Sequence, residues 1–173
     1  MPNASVFEPS ARPDAWAEVR AHDRVTRYRR AGTGRPVLVL HAPDDPNPLW
    51  PELLETLGNG YRVIVPAPPS AGADLTAWLT GFLEGLGTTS VRIVAAQPFC
   101  MAALELALLD AVGTTRIVLV ANGPAAPDAP RGFVRSAMGR TSVPVLMVRR
   151  GQSASEGVAL IADFLRQEMS APS

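Results

Sequence analysis

The chain has 173 residues, 47% of them hydrophobic and 18% charged; that fits one globular domain with a real core and excludes a disordered chain. Sixteen basic and sixteen acidic residues cancel, so the basic excess of a nucleic-acid binder is missing. All sixteen basic residues are arginine, which excludes Schiff-base chemistry and a P-loop lysine together and points to a high-GC bacterial source. The single cysteine, Cys100, leaves no internal disulfide. The amino-terminal stretch is polar and proline-bearing, with no apolar h-region, and no apolar run approaches the ~18 residues of a membrane span. A cytoplasmic protein with no membrane or nucleic-acid partner is expected.

Residues 1–16 read as a flexible lead-in and 170–173 as a tail, bracketing one domain over 17–169. Strands are predicted over 17–21 and 24–32, the second closed by "GTG". "RPVLVLHAP" (35–43) is a continuous apolar run, the mark of a strand buried on both faces of a parallel sheet. A helix follows over 48–60, with Pro51 in its first turn and Gly58 near its end. The next strand is 61–69. A helix over 73–87 carries Leu75, Trp78, Leu79, Phe82 and Leu86 at helical spacing. Strand 90–96, helix 101–112 and strand 115–123 continue the alternation. A looser segment, 124–142, contains one short candidate helix at 131–139; strand 143–151 and helix 155–169 complete the order. Repeated βαβ units predict a single-domain α/β fold, a parallel-type sheet with helices on both faces.

The wording of these segments resembles the α/β-hydrolase family. "YRRAGTGRPVLVLHAP" looks like that family's second and third strands, with His41-Ala42 where His-Gly stands. "YRVIVPAPPSAG" resembles the next strand and loop, with Ala67 replacing the usual Asp. "VRIVAAQPFCMAALELAL" resembles the strand and helix that flank the nucleophile, and "RIVLVANGPA" and "VPVLMVRRG" resemble the sixth and seventh strands. The resemblance implies a truncated α/β-hydrolase fold without a full lid or an eighth strand.

It also implies a triad, and each part fails by position. The family's nucleophile sits in G-x-S-x-G on a sharp strand-to-helix turn, and the next backbone N–H helps bind the oxyanion. Here Ala95 and Gln97 occupy the first Gly and the nucleophile, and Phe99 the second Gly. Pro98 stands where the oxyanion N–H belongs and has none; the N–H of Ala42 is the surviving candidate. Asn122 stands at the acid position, and the only histidines are His22 and His41. Serine-triad hydrolysis is therefore not expected. Proline is favoured at the start of a helix, and the residue before it leaves the α region. So Gln97 is expected to end the strand and Pro98 to begin the helix.

Ligands of parallel α/β sheets bind beyond the carboxyl ends of the strands. That gathers Gln97, Asp44 and His41 as candidate catalytic groups, with Ala42, Pro43, Pro98, Asn122 and Arg149 as candidate ligand contacts. His41 reads either as a residue that orients the backbone or, with Asp44 and Asp45 nearby, as a general base. Cys100 reads as a packed core thiol or as a helix-terminal nucleophile. Ser70, in "PPSAG", is a degenerate elbow without a histidine partner. No His/Cys/acid cluster has metal-ligand spacing, and no metal or cofactor is expected.

Three functions compete. One is a non-hydrolytic catalyst acting on a small molecule (cyclisation, elimination, rearrangement or acyl transfer) in bacterial specialised metabolism. The second is a non-catalytic ligand-binding or accessory subunit, and the third a hydrolase or acyltransferase using Cys100. An unpaired seventh strand, or the stripe Val158, Ile161, Phe164 and Leu165 on the last helix, predicts a homodimer.

Overall fold

The apolar runs of the sequence become the centre of a seven-stranded sheet. The structure, a computed structural model, describes residues 16–110, 112–121, 139–149 and 153–167. Its strands are β1 (Trp16–Ala21), β2 (Arg24–Ala31), β3 (Pro36–Leu40), β4 (Arg62–Pro66), β5 (Ser90–Ala96), β6 (Gly113–Ala121) and β7 (Val145–Arg149). Its helices are α1 (Leu49–Gly58), α2 (Leu75–Gly85), α3 (Cys100–Leu109) and α4 (Ala154–Arg166). The sheet order is β1-β2-β4-β3-β5-β6-β7. The pairs from β4 through β7 are parallel, and β1 and β2 form an antiparallel margin. The sheet is open, with β1 and β7 at its edges among the described residues. The expected α/β class and the helices on both faces are observed. The lead-in up to residue 15, the candidate helix at 131–138, Asn122 and the tail lie outside the described residues; Trp16 already belongs to β1.

Strand alternation sends successive side chains to opposite faces, so each buried strand feeds two cores. On one face, Leu38, Leu40, Ile93, Ala95, Ile117 and Leu119 pack beneath α2 and α3. On the other, Val37, Val39, Val94, Val118 and Val148 pack beneath α1 and α4. The α4 stripe belongs to this second core: Val158, Ile161 and Leu165 are buried, and Phe164 packs against it. Full burial of such a side chain contributes roughly 1.5–3 kcal/mol. The stripe is thus committed to the sheet.

Local chemistry sets the helix boundaries. Asp74 caps α2 by accepting the Ala77 N–H. The helix ends in a Schellman motif: Gly87 has φ +65°, its N–H bonds Glu84 O, and the Thr88 N–H bonds Leu83 O. Ser153 and Glu156 form a capping box on α4. The close seams fall at glycines. A Cβ on Gly32, in the "GTG" turn, would lie 2.2 Å from Tyr61 O, and one on Gly157 would lie 2.8 Å from Leu49 Cδ1 where α4 meets α1. Sequence reading gave no hint of two buried arginines, Arg92 and Arg116. Each donates its Nε–H to a main-chain carbonyl at the end of α4, at Leu165 and Gln167 respectively.

A candidate site at the carboxyl ends of β3 and β5

β3 leads into a loop that folds on itself before α1. Ala42 O accepts the Asp45 N–H at 3.1 Å, Asp45 Oδ1 the Asn47 N–H at 3.0 Å, and Asn47 Oδ1 the Leu49 N–H at 3.1 Å. Two successive Asx turns thus deliver the chain to α1, whose second residue is Trp50. The alternation of β3 continues into His41 and turns its ring toward α1, where it stacks on Trp50 with centroids 4.8 Å apart and planes 13° from parallel.

The hydrogen bonds of His41 fix its tautomer. Nδ1 lies 2.7 Å from Ala42 O. A carbonyl only accepts, so Nδ1 carries the proton, and in the neutral ring Nε2 is a bare lone pair. That Nε2 is buried and finds no hydrogen-bond partner among the described residues. Two other buried side-chain atoms share this condition: Asp45 Oδ2 and Trp50 Nε1. All three fall within ten residues of chain, as two acceptors and one donor. Buried polar groups without partners are few in folded proteins and each calls for a reason. The three lie between the end of β3 and the first turn of α1.

At the end of β5 the expectation for Pro98 is overturned. α3 begins at Cys100, with Phe99 as its N-cap. The chain from Ala96 to Phe99 forms a turn closed by the Phe99 N–H on Ala96 O at 2.8 Å, with a cis peptide bond between Gln97 and Pro98. A turn with proline at its third position forms here in place of a helix with proline at its first. Gln97 is half-buried in that turn and Pro98 is exposed. Phe99, standing where close strand–helix approach would require glycine, is buried and lies 6.2 Å from the Trp78 ring. Cys100 donates its thiol proton to Ala95 O at 3.4 Å, and burial pushes the thiol up to about 11. The thiol is thus held in its protonated form, as a packing group would be.

Register brings the remaining candidates to one end of the sheet. Leu40 stands opposite Ala95 and Ala121 opposite Arg149. His41, Gln97 and Arg149 therefore share the carboxyl edge, but no hydrogen bond joins them to one another or to Asp44. Asp44, Pro43 and Arg149 are exposed. Ala42 enters through its carbonyl, which serves both His41 and Asp45. Of the two adjacent carboxylates it is Asp45 that is held in the loop. Trp50 escaped sequence reading; its one signal is an aromatic in the first turn of the helix that follows the His41 loop. His22 lies between β1 and β2, 3.5 Å from Glu84 and largely exposed, away from this edge. Ser70 sits in an exposed turn whose carbonyl accepts the Ala73 N–H, ahead of the α2 cap. Among the described residues no group of three or more His, Cys, Asp or Glu side chains could hold a metal ion. No described helix is long and apolar enough to cross a membrane.

No family model and no curated protein matches the sequence; the likeness to known proteins lies in the fold. A CIB-like hydrolase from Thermoplasma acidophilum superposes with a TM-score of 0.65 at 14% identity, over 88% of this chain and 97% of that one. An epoxide hydrolase from Vigna radiata gives 0.51 at 22% identity, over 72% and 46%. A carboxylesterase from Bacillus subtilis gives 0.52 at 15%, over 61% and 42%. Against the larger hydrolases the chain spans about half of their length. The chain has the α/β-hydrolase fold. Between β7 and α4 it carries only residues 150–153, too few for another helix and strand.

Proposed function

We propose that this chain binds a small molecule at the carboxyl ends of β3 and β5 and acts on it by proton transfer, without a hydrolytic triad. The observation that carries the reading is His41: its tautomer is set by Ala42 O, and its Nε2 lone pair, beside Trp50, is buried with no partner among the described residues. In this reading Nε2 takes a proton from a substrate O–H or acidic C–H and returns it elsewhere on the same molecule. The step is a rearrangement or cyclisation that consumes no co-reactant. The imidazolium that forms still donates through Nδ1 to Ala42 O. Gln97, a neutral amide, orients the substrate, and Asp44, Pro43, Pro98, Asn122 and Arg149 form its outer contacts. Specialised metabolism in a high-GC bacterium, in the cytoplasm, is the setting that the sequence favours. A homodimer paired through β7 is its assembly.

The test is turnover of the intermediates that the neighbouring genes define, followed by mass spectrometry. A product of unchanged mass, lost in His41→Ala with an unchanged circular dichroism spectrum, is expected; the rate should fall about 10²–10⁴-fold, as for removal of a general base. A product heavier by one water, or a His41→Ala variant with full turnover, overturns the reading. One observation favours a second reading, that of a ligand binder without chemistry. His41 Nδ1 is held by a carbonyl rather than a carboxylate, so no charge backs the base. Saturable binding with no turnover by the parent protein would select it.

A further inference from the structure

A concave site lies at the opposite end of the sheet from His41. A cavity of about 290 Å³ opens where the amino end of β4 and the strands β1 and β2 meet the end of α2. It is lined by Glu18, Val19, Tyr28, Arg30, Arg62, Ile64, Gly85, Leu86 and Thr88; Glu18 alternates with Val19 along β1, and its carboxylate lies 3.8 Å from Arg27. The cavity's size is at the lower end of the range for small-molecule pockets, about 300–1,000 Å³. The α2 helix stops there: after the Schellman turn at Gly87 the chain enters β5 at Ser90, and Leu86 and Thr88 form one wall.

The chemistry of that lining is amphipathic. Arg30 pairs with Ile64 across β2 and β4, and Arg62 precedes Ile64 by two residues. The two arginines are therefore diagonal neighbours on the α2 side of the sheet, roughly 7–8 Å apart in backbone position. Arg30 is held by an interaction of its own, so Arg62 is the more available cation; among the described residues it pairs with no carboxylate. The Thr88 N–H is used on Leu83 O, while its hydroxyl makes no hydrogen bond among the described residues. Val19, Ile64 and Leu86 supply an apolar floor. A cation such as Arg62 over such a floor is most favourably matched by an anion that brings its own apolar tail.

We propose that this cavity binds a small organic carboxylate. Its head is held by Arg62 and the Thr88 hydroxyl. Its short aliphatic chain lies over Val19, Ile64 and Leu86. The site is independent of His41 and requires none of the chemistry assigned there.

Hexanoate and the uncharged hexanamide are the probes, titrated into the full chain and followed by amide chemical shifts. Saturable hexanoate shifts at Val19, Ile64 and Leu86 are expected, with hexanamide weaker by at least about tenfold. Arg62→Gln should lose that preference, and Thr88→Trp, which fills the mouth, should abolish both; neither residue is buried, so folding is retained. No saturation by about 10 mM hexanoate, equal binding of both probes, or shifts confined to residues 41–50 would each overturn the proposal.

Discussion

Arg92 and Arg116 stand opposite one another on β5 and β6, and both reach past the sheet to the end of the same helix. Arg92 Nε donates to Leu165 O at 3.0 Å and Arg116 Nε to Gln167 O at 2.8 Å. Their guanidinium carbons lie over the Tyr61 and Phe164 rings, at 5.7 and 5.0 Å from the centroids. Two buried cations at a helix carboxyl terminus meet the negative end of its dipole and its unsatisfied carbonyls. Arg92→Met and Arg116→Met should each cost about 1.5–3 kcal/mol, the value of a charged hydrogen bond. Because both hold one helix end, the double variant should lose less than the sum. Urea unfolding measures all three, and a loss below about 0.5 kcal/mol for either single variant would refute the account.

Cys100 titrates late. With the thiol raised from 9.0 to about 11 by burial, the thiolate fraction at pH 7 is ~10⁻⁴. Iodoacetamide should therefore label the native chain far more slowly than the urea-unfolded one at pH 7.5. The sign for stability follows. Between the two values the unfolded chain binds fewer protons than the folded one, so stability is full below about pH 9. It then falls by up to about 2–3 kcal/mol as the pH rises to about 11. Cys100→Ala should remove that alkaline decline and leave turnover intact; a decline that persists in the variant counts against the assignment.

Trp50 separates folding from binding. Its indole N–H is buried without a partner among the described residues, while its ring stacks on His41. Trp50→Phe keeps an aromatic face and deletes the donor, so thermal unfolding should move by no more than about 1 kcal/mol, in either direction. Ligand binding at the His41 site should weaken about five- to tenfold, the worth of one hydrogen bond. Parent-like affinity in this variant would show that the N–H faces no ligand.

The β7 edge is the place to test assembly. Met147 is 42% exposed there, and β7 pairs only with β6 among the described residues. Light scattering should show a dimer at tens of micromolar. Met147→Lys should give a monomer of unchanged circular dichroism, since an edge lysine opposes strand addition. A monomeric parent chain sinks the idea.

Most of the fold was legible because burial on both faces leaves so strong a mark. "PVLVL" and "SVRIVAA" admit little but central parallel strands, and Gly32 and Gly87 punctuate as turn residues do. What was hidden depends on partners distant in sequence. Nothing local tells Arg92 and Arg116 from surface arginines, because the carbonyls they meet lie fifty or more residues away. Pro98 misled because its local preference for a helix start competes with a turn closed by the Phe99 N–H on Ala96 O, in which Phe99 is buried near Trp78. At the site, His41 could be suspected from its place at a strand end. Its tautomer, and the stack that buries its free nitrogen, required Ala42 and Trp50 in three dimensions.

The turn from Ala96 to Phe99 also measures how far this chain stands from acyl chemistry in mutational steps. A serine at position 97 alone would face a proline with no amide hydrogen. Replacing that proline would still leave the Phe99 N–H committed to Ala96 O and the Phe99 ring wedged against Trp78. A histidine would further need a carrier where four residues join β7 to α4. Each of these obstacles is separate from the others, so acyl chemistry at this turn asks for several changes together. Whatever selection acts on Gln97 acts within the chemistry of an amide.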